Sequence, residues 1–164
     1  MAPSARVTSV SLALLAAAML AGAFAFEHIG KLVPCVLCWW QRYAWMAALA
    51  FAVVARLGAG TRTGVALLAL AALATLAGAG TALFHVGVEQ AWWEGTAECG
   101  TPFGGEMTVE ERLKALLGQP VTRCDQVAWS MLGISMAGWN GLIALVAGGL
   151  ALMVALRQMM DRTS

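Results

Sequence analysis

Four cysteines divide into a close pair and a separated pair. Cys35 and Cys38 stand in a Cys-x-x-Cys spacing, whereas Cys99 and Cys124 lie 25 positions apart. A ring closed by Cys-x-x-Cys is too small to add much stability by constraining the unfolded chain, so such pairs usually serve thiol–disulfide exchange. The close pair is therefore the first candidate for redox chemistry.

Arg42 follows the close pair at helical spacing. Pro34 and Cys35 come at the start of an apolar segment, which places Cys38 in or near a first helical turn. Free amide groups and the helix dipole favour a thiolate at that position. Arg42 lies four residues after Cys38, on the same helical face, and a charged residue at this depth suggests function by default. These residues predict a site that holds a sulfur anion.

Two histidines, His28 and His85, lie at the ends of apolar segments. A lone histidine at such a boundary is most often a hydrogen-bonded structural residue. His85 is nevertheless a candidate proton carrier, because few other side chains near it titrate close to neutral pH. The chain carries no phosphate-binding loop, no nucleophile triad and no basic patch for nucleic acid.

Two cysteine pairs could instead build a structural zinc centre or two inert disulfides. Cys99 and Cys124 lack the close spacing with which one turn usually supplies two zinc ligands, and inert disulfides do not explain Arg42. We therefore expect no metal. A non-catalytic metal-binding or scaffold membrane protein is the alternative, and metal content together with thiol counting separates it from an enzyme.

The composition predicts that membrane helices position these residues. Of the 164 residues, 60% are hydrophobic and 12% are charged, and the mean hydropathy is +0.76, which is too apolar for a soluble domain. Four stretches are long enough to cross about 30 Å of hydrocarbon as helices. They comprise residues 7–26, 38–55, 63–84 and 133–156. We expect an all-α integral membrane protein, a single domain over residues 1–164 built as a four-helix transmembrane bundle.

The distribution of Lys and Arg predicts the orientation of these spans, because basic residues are retained in the cytoplasm. The side that carries both termini has five basic residues against one acid, whereas the other side has five basic residues diluted among eight acids. Both termini should therefore be cytoplasmic, and all four cysteines should lie on the outer face, where disulfides persist. A cleaved N-terminal signal peptide is the rival interpretation of the first span.

A loop of nearly fifty residues connects the third and fourth spans and contains Cys99 and Cys124. Its residues 108–111 have the sequence of a capping box, and the residues that follow predict a short amphipathic helix, on the membrane surface or packed on the loop. Seven tryptophans fall in the outer half, where most are expected to be interfacial anchors. Small residues recur four apart, as at Ala74 and Gly78, and such spacing lets helices approach closely.

The chain resembles a known family in three places. These are the sequence Pro-Cys-Val-Leu-Cys at 34–38 with Gln-Arg-Tyr at 41–43, the loop pair Cys99 and Cys124, and the segment 124–136 that leads into the last span. Over essentially its whole length the sequence is similar to the disulfide bond formation protein B (DsbB) family of bacterial thiol:quinone oxidoreductases. The resemblance implies a multi-pass enzyme of the bacterial inner membrane, with periplasmic cysteines and a membrane quinone, ubiquinone or menaquinone, as cofactor.

The resemblance also implies an order of exchange. A reduced periplasmic thioredoxin-fold oxidase of the DsbA type would attack Cys99, whose intramolecular partner is Cys124. Cys124 would then exchange with Cys35 and release Cys38 as the thiolate that passes electrons to the quinone. The lipid bilayer and its quinone are the other partners that the resemblance implies.

Three further positions follow from the same resemblance. Arg42 matches the family arginine that supports the quinone and the thiolate, and His85 lies near a family position implicated at the same site. Gln41 replaces an acid found in at least one member.

The main enzymatic rival is a vitamin K epoxide reductase-like four-helix protein, in which the loop cysteines precede the Cys-x-x-Cys, whereas here they follow it.

Overall fold

The computed structural model describes residues 4–99 and 123–161. Within these ranges the chain forms four long helices, with a short antiparallel hairpin before the last of them. The helices are α1 (Ala5–His28), α2 (Val36–Leu57), α3 (Arg62–Glu89) and α4 (Met136–Met160), and the hairpin strands are β1 (Ser130–Met131) and β2 (Ile134–Ser135). The amphipathic helix expected after residue 108 lies outside the described residues.

Each of these helices begins at a side chain that caps its free amide groups. Ser4, Cys35, Thr61 and Ser135 accept a hydrogen bond from the backbone N–H three residues further along. Serine and threonine are common in this role because their oxygen satisfies an amide that has no partner within the helix. In α2 the cap is the sulfur of Cys35, so the start of this helix places the close cysteine pair.

The helices pack in chain order. α1 packs on α2, α2 on α3 and α3 on α4, while α1 touches α4 only lightly. Along the α3–α4 contact, Gly138 faces Val86 and Gly148 faces Leu76, so the two helices run antiparallel. The start of α2, the end of α3 and the start of α4 therefore meet at one end of the molecule, and the cysteines lie there.

Small residues fill the interior and large apolar residues cover the outside. Ala48, Ala72 and Ala144 are fully buried, whereas Leu14 and Leu145 are more than half exposed. This distribution is typical of membrane helices, whose backbones pack closely through small residues while large side chains face lipid.

The small-residue spacing in the sequence marks only some of these contacts. A Cβ at Gly78 would lie 2.9 Å from the Cβ of Ala44, so α2 and α3 approach closely there. A Cβ at Gly22, in contrast, would meet no atom of the described residues within 4 Å. Spacing alone therefore does not identify a helix interface.

Three of the described helices, α1, α3 and α4, are long and apolar enough to cross a membrane. The chain is thus a mostly helical, multi-pass membrane protein. α2 has a comparable length of 22 residues, but Gln41 and Arg42 in its first half lower its hydropathy.

The hairpin before α4 was not expected from the sequence. The fourth helix begins at Met136 rather than at the predicted residue 133, because Leu132 and Gly133 form a tight turn with φ values of 54° and 78°. Two positive φ values are what a two-residue type I′ hairpin turn requires. Leucine rarely adopts a positive φ, so a leucine at position 132 gave no indication of this turn in the sequence.

Candidate thiol site at one end of the helices

The two cysteine pairs meet in one cluster. Cys35 and Cys124 are buried together, and Cys38 and Cys99 pack against them as partly buried residues. Cys99 and Cys124 form a disulfide, whereas Cys35 and Cys38 are free thiols whose sulfurs lie 2.8 Å apart. The structure thus brings together pairs that are far apart in the sequence.

Within the close pair, Cys35 retains its proton more firmly. Its sulfur caps α2 and accepts a hydrogen bond from the backbone N–H of Cys38 over 3.3 Å. The hydrogen bond with the Cys38 sulfur, and then burial, raise the pKa of the Cys35 thiol above its ordinary value. When the pair loses one proton, the negative charge therefore lies on Cys38.

Arg42 is held by contacts from α1 and α2. Its Nη1 forms an ion pair with Glu27, and its Nη2 donates to the backbone carbonyl of Ala23 over 3.1 Å. The guanidinium carbon lies 4.9 Å from the ring centroids of both Phe24 and Trp39. These contacts fix the guanidinium in position, because two of its nitrogens are hydrogen-bonded and two aromatic rings pack against it.

The ion pair changes the electrostatics that the sequence predicts. The sequence places a cation beside Cys38 on one helical face, and both residues do line the same cavity. The charge of Arg42 is, however, balanced by Glu27, whose side chain is 23% exposed. Glu27 was not a predicted site residue because it sits at the far end of another helix.

A cavity of about 370 Å³ lies beside the close pair. It extends between α1 and α4, the two helices that touch only lightly. Most of its wall is apolar, and its polar groups include Arg42, His85 and Glu89. An apolar cavity with a few convergent polar groups is the usual form of a small-molecule site.

A chain of hydrogen bonds leads from Trp45 of α2, through Asn140 of α4, to the sulfur of Cys35. The indole N–H of Trp45 donates to Asn140 Oδ1 over 2.7 Å, and Asn140 Nδ2 donates to Gln41 Oε1 over 2.6 Å. Gln41 Nε2 lies 3.0 Å from His85 Nδ1, and His85 Nε2 lies 3.7 Å from Cys35 Sγ. Trp45 is 4% exposed, so it is an interior residue rather than one of the expected interfacial anchors.

Glu89 is a second acid that the sequence did not single out. Its side chain is 5% exposed, and its Oε1 lies 3.9 Å from His85 Nε2. Among the residues that the structure describes, Oε2 has no hydrogen-bond partner. A buried carboxyl group without a full set of partners is costly, so such groups are usually functional.

We expect the replacement of Glu89 by methionine to stabilise the protein. Removing a buried carboxyl group that has one oxygen without a partner should raise the free energy of unfolding by about 1 to 3 kcal/mol. Denaturant titration in detergent measures the change, and Glu94→Met, at an exposed position, is the control that should remain within about 0.5 kcal/mol of the parent. A loss of stability in Glu89→Met would show that the carboxyl group is a structural anchor.

Three side chains of the cluster also form a possible metal-ligand set. The ligand atoms of Cys35, Cys38 and His85 all lie within 4.8 Å of one another. Two sulfurs and one imidazole nitrogen suit zinc in composition, provided that the nitrogen facing the sulfurs has a free lone pair. The protonation of His85 therefore decides whether this set can bind a metal.

The fold and the site together define a class of protein. The chain is a multi-pass helical membrane protein whose cysteines, one pair oxidised and one pair reduced, lie together at one end beside an apolar cavity. Residues 5–154 match the family model described as disulfide bond formation protein DsbB. The chain belongs to the DsbB family, and it is therefore a disulfide-forming oxidoreductase of the membrane.

Curated relatives agree with this assignment over most of their length. The disulfide bond formation protein B of Marinobacter nauticus is 34% identical over 161 residues, which cover 91% of this chain and 90% of the relative. The protein of the same description from Aromatoleum aromaticum is 31% identical, with 94% and 95% covered. Disulfide bond formation protein B 2 of Pseudomonas putida is 36% identical, with 85% and 83% covered. No solved structure matches the chain.

Proposed function

We propose that this protein reoxidises a periplasmic thioredoxin-fold oxidase of the DsbA type and passes the electrons to a membrane quinone. The observation that carries the proposal is the meeting of both cysteine pairs in one cluster beside an apolar cavity. Membership in the DsbB family supports disulfide formation as the reaction. The cavity supports a small apolar electron acceptor from the bilayer.

The first exchange takes place at the loop disulfide. A thiolate of the reduced partner attacks Cys99, because Cys99 is partly exposed whereas Cys124 is 1% exposed. A mixed disulfide forms between the partner and Cys99, and the Cys99–Cys124 bond breaks with its electron pair on Cys124. The second thiol of the partner then attacks the mixed disulfide, so the partner leaves oxidised and Cys99 is left reduced.

The second exchange passes the electrons to the close pair, here taken in its oxidised form. The Cys124 thiolate attacks Cys35, with which it is buried, and Cys38 leaves as a thiolate. Cys99 then attacks Cys124 and restores the loop disulfide, which leaves Cys35 and Cys38 reduced. The preference of the proton for Cys35 keeps the charge on Cys38, at the cavity wall.

The residues around the cavity fit a quinone. The apolar wall suits the ring and tail, and Arg42 and His85 are among the polar residues of the same wall. A bound quinone supplies the two-electron acceptor that reoxidises the close pair. Arg42 and His85 would orient the acceptor and the apolar wall would exclude water. The Cys35 thiol would supply one proton as its disulfide with Cys38 forms again, and because Cys38 is already a thiolate the second proton would come from the aqueous side.

We propose the membrane arrangement that the charges predict. All four long helices cross the bacterial inner membrane, both termini face the cytoplasm and the cysteine cluster faces the periplasm. Support comes from the antiparallel packing, which puts the cysteines at one end of the molecule, and from the basic residues near the other end. Arg42 is compatible with a membrane-spanning α2, because Glu27 pairs with its charge.

Purified protein in quinone-containing vesicles tests the proposal. Adding a reduced thioredoxin-fold dithiol protein without oxygen should produce one quinol for each protein disulfide formed. The variant in which Cys99 and Cys124 are both serine is the control, and it should fail with the protein dithiol. Oxidation of the dithiol without quinol formation, or an equal rate in the control, would contradict the proposal.

A further inference from the structure

The hydrogen-bond chain from Trp45 to His85 has a fixed direction. An indole N–H can only donate, so the group of Asn140 that faces Trp45 is its carbonyl oxygen. The amide nitrogen of Asn140 then donates to the carbonyl oxygen of Gln41. This leaves the amide nitrogen of Gln41 as the group that faces His85.

A second contact of the Gln41 amide gives the same orientation independently. Gln41 Nε2 also donates to the backbone carbonyl of Leu37 over 3.1 Å, and a carbonyl can only accept. A reversed Gln41 amide would bring two oxygens together at Leu37 and two amino groups together at Asn140. Two independent contacts therefore orient the Gln41 amide.

This orientation determines which ring nitrogen of His85 carries the proton. Nδ1 receives the N–H of Gln41 over 3.0 Å, so it must present its lone pair. Nε2 then carries the hydrogen of the neutral ring. Its neighbours are groups that can accept a hydrogen bond: Cys35 Sγ lies at 3.7 Å, and the backbone carbonyl of Cys124 also interacts with the ring. Glu89 Oε1, at 3.9 Å, is too far for a direct hydrogen bond but favours a proton on this nitrogen.

We propose that Trp45 and Asn140 are positioning residues that fix His85 in its Nε2-protonated form, so that the ring presents an N–H group to the Cys35 sulfur. The consequence for turnover rests on the proposed function, whereas the protonation of the ring does not. His85 then acts as a hydrogen-bond donor rather than as a base toward the close pair.

The same protonation bears on metal binding. A zinc ion bound by Cys35 and Cys38 would need the lone pair of His85 Nε2, and the hydrogen-bond chain places a proton there. Binding would require the amides of Gln41 and Asn140 to turn over and the Trp45 bond to break. The chain of hydrogen bonds therefore disfavours zinc binding by these three residues together.

The N–H group of His85 Nε2 eases the loss of the Cys35 proton when Cys35 and Cys38 form their disulfide again. Cys38 and burial hold the proton on Cys35, and an N–H aimed at the sulfur acts in the opposite direction. The titratable and charged groups that face the sulfur or share its cavity are Cys38 and Arg42 of α2, His85 and Glu89 of α3, and Arg123, while Cys124 is held in the loop disulfide.

Nitrogen NMR of histidine-labelled protein tests the assignment directly. The chain has two histidines, and His28 is exposed, so His28→Asn leaves a spectrum of His85 alone. At neutral pH we expect a protonated Nε2 and an unprotonated Nδ1. A spectrum with the proton on Nδ1, or with both nitrogens protonated, would overturn the proposal without touching the proposed function.

Variants separate the positioning role from the local fold. Trp45→Phe and Asn140→Leu each weaken one of the two contacts that orient the Gln41 amide and leave its bond to the Leu37 carbonyl, so both should give a partial shift toward the Nδ1-protonated ring. Gln41→Glu, when ionised, offers only acceptors and should move the proton to Nδ1. Trp93→Phe is the matched control, because it also removes an indole hydrogen bond, to the carbonyl of Phe84 next to His85, and should leave the ring unchanged.

Turnover provides the second readout. In Trp45→Phe and in Asn140→Leu, the rate at which quinone reoxidises the reduced close pair should fall in proportion to the lost share of the Nε2-protonated ring, whereas Trp93→Phe should keep the parental rate. A fall in rate that follows the change in ring form reports the lost hydrogen bond to sulfur, whereas mere loosening of the bundle would lower the rate without changing the ring form. If both variants keep the parental ring form, Trp45 and Asn140 have no positioning role.

Discussion

Replacing Cys38 with serine is expected to abolish quinone reduction and to limit dithiol oxidation to a single round. The loop disulfide Cys99–Cys124 remains able to oxidise one equivalent of protein dithiol. Serine cannot form a disulfide with Cys35, so the reduced loop pair has no route to reoxidation. Thiol titration should show one disulfide transferred per protein, and the steady-state rate should fall to that of quinone and dithiol alone.

The Cys99→Ser/Cys124→Ser variant is the counterpart of this experiment. It retains the close pair, so a small dithiol that can reach the cluster should still drive quinone reduction. The two variants together divide the reaction into its outer and inner exchanges. Sustained quinone reduction by Cys38→Ser would remove Cys38 from the proposed electron path.

Replacing Arg42 with methionine is expected to weaken both the fold and the quinone site. Glu27 loses its partner while its side chain stays mostly buried, at 23% exposure. Breaking a buried ion pair in this way costs about 3 kcal/mol of unfolding free energy. Loss of a charged hydrogen-bond donor should also lower quinone affinity about 10- to 100-fold. Denaturant titration and quinone titration measure the two effects.

The double variant Arg42→Met/Glu27→Gln separates these effects. Removing both charges leaves no unpaired ion, so most of the lost stability should return, to within about 1 kcal/mol of the parent. Quinone affinity should stay low, because the guanidinium is still missing. Parental quinone binding in the double variant would limit Arg42 to a structural role.

The sequence predicts much of this site because the signals are local. The Cys-x-x-Cys spacing, the start of a helix at Cys35 and the helical distance to Arg42 all lie within a few residues of one another. The segment also matches a known family, which implies the order of exchange. Apolar length likewise indicates a membrane protein, as three of the described helices confirm.

The partners of these residues could not be predicted because they come from other helices. Glu27 reaches Arg42 from α1, and Asn140 reaches Gln41 and Trp45 from α4 across more than ninety positions. Helix packing decides such contacts, and small-residue spacing does not reveal it. Trp45 illustrates the difficulty, since position along the chain alone groups it with the interfacial tryptophans.

The light contact between α1 and α4 has a consequence for how the acceptor arrives. In the proposed membrane arrangement, a cavity bordered by two helices that touch only lightly would open sideways, toward the hydrocarbon. If the acceptor is the proposed quinone, its long isoprenoid tail would stay among the acyl chains while its ring enters, so the tail would add little to the cost of ordering. Turnover should follow the mole fraction of acceptor in the lipid and be insensitive to the volume of water around the vesicles.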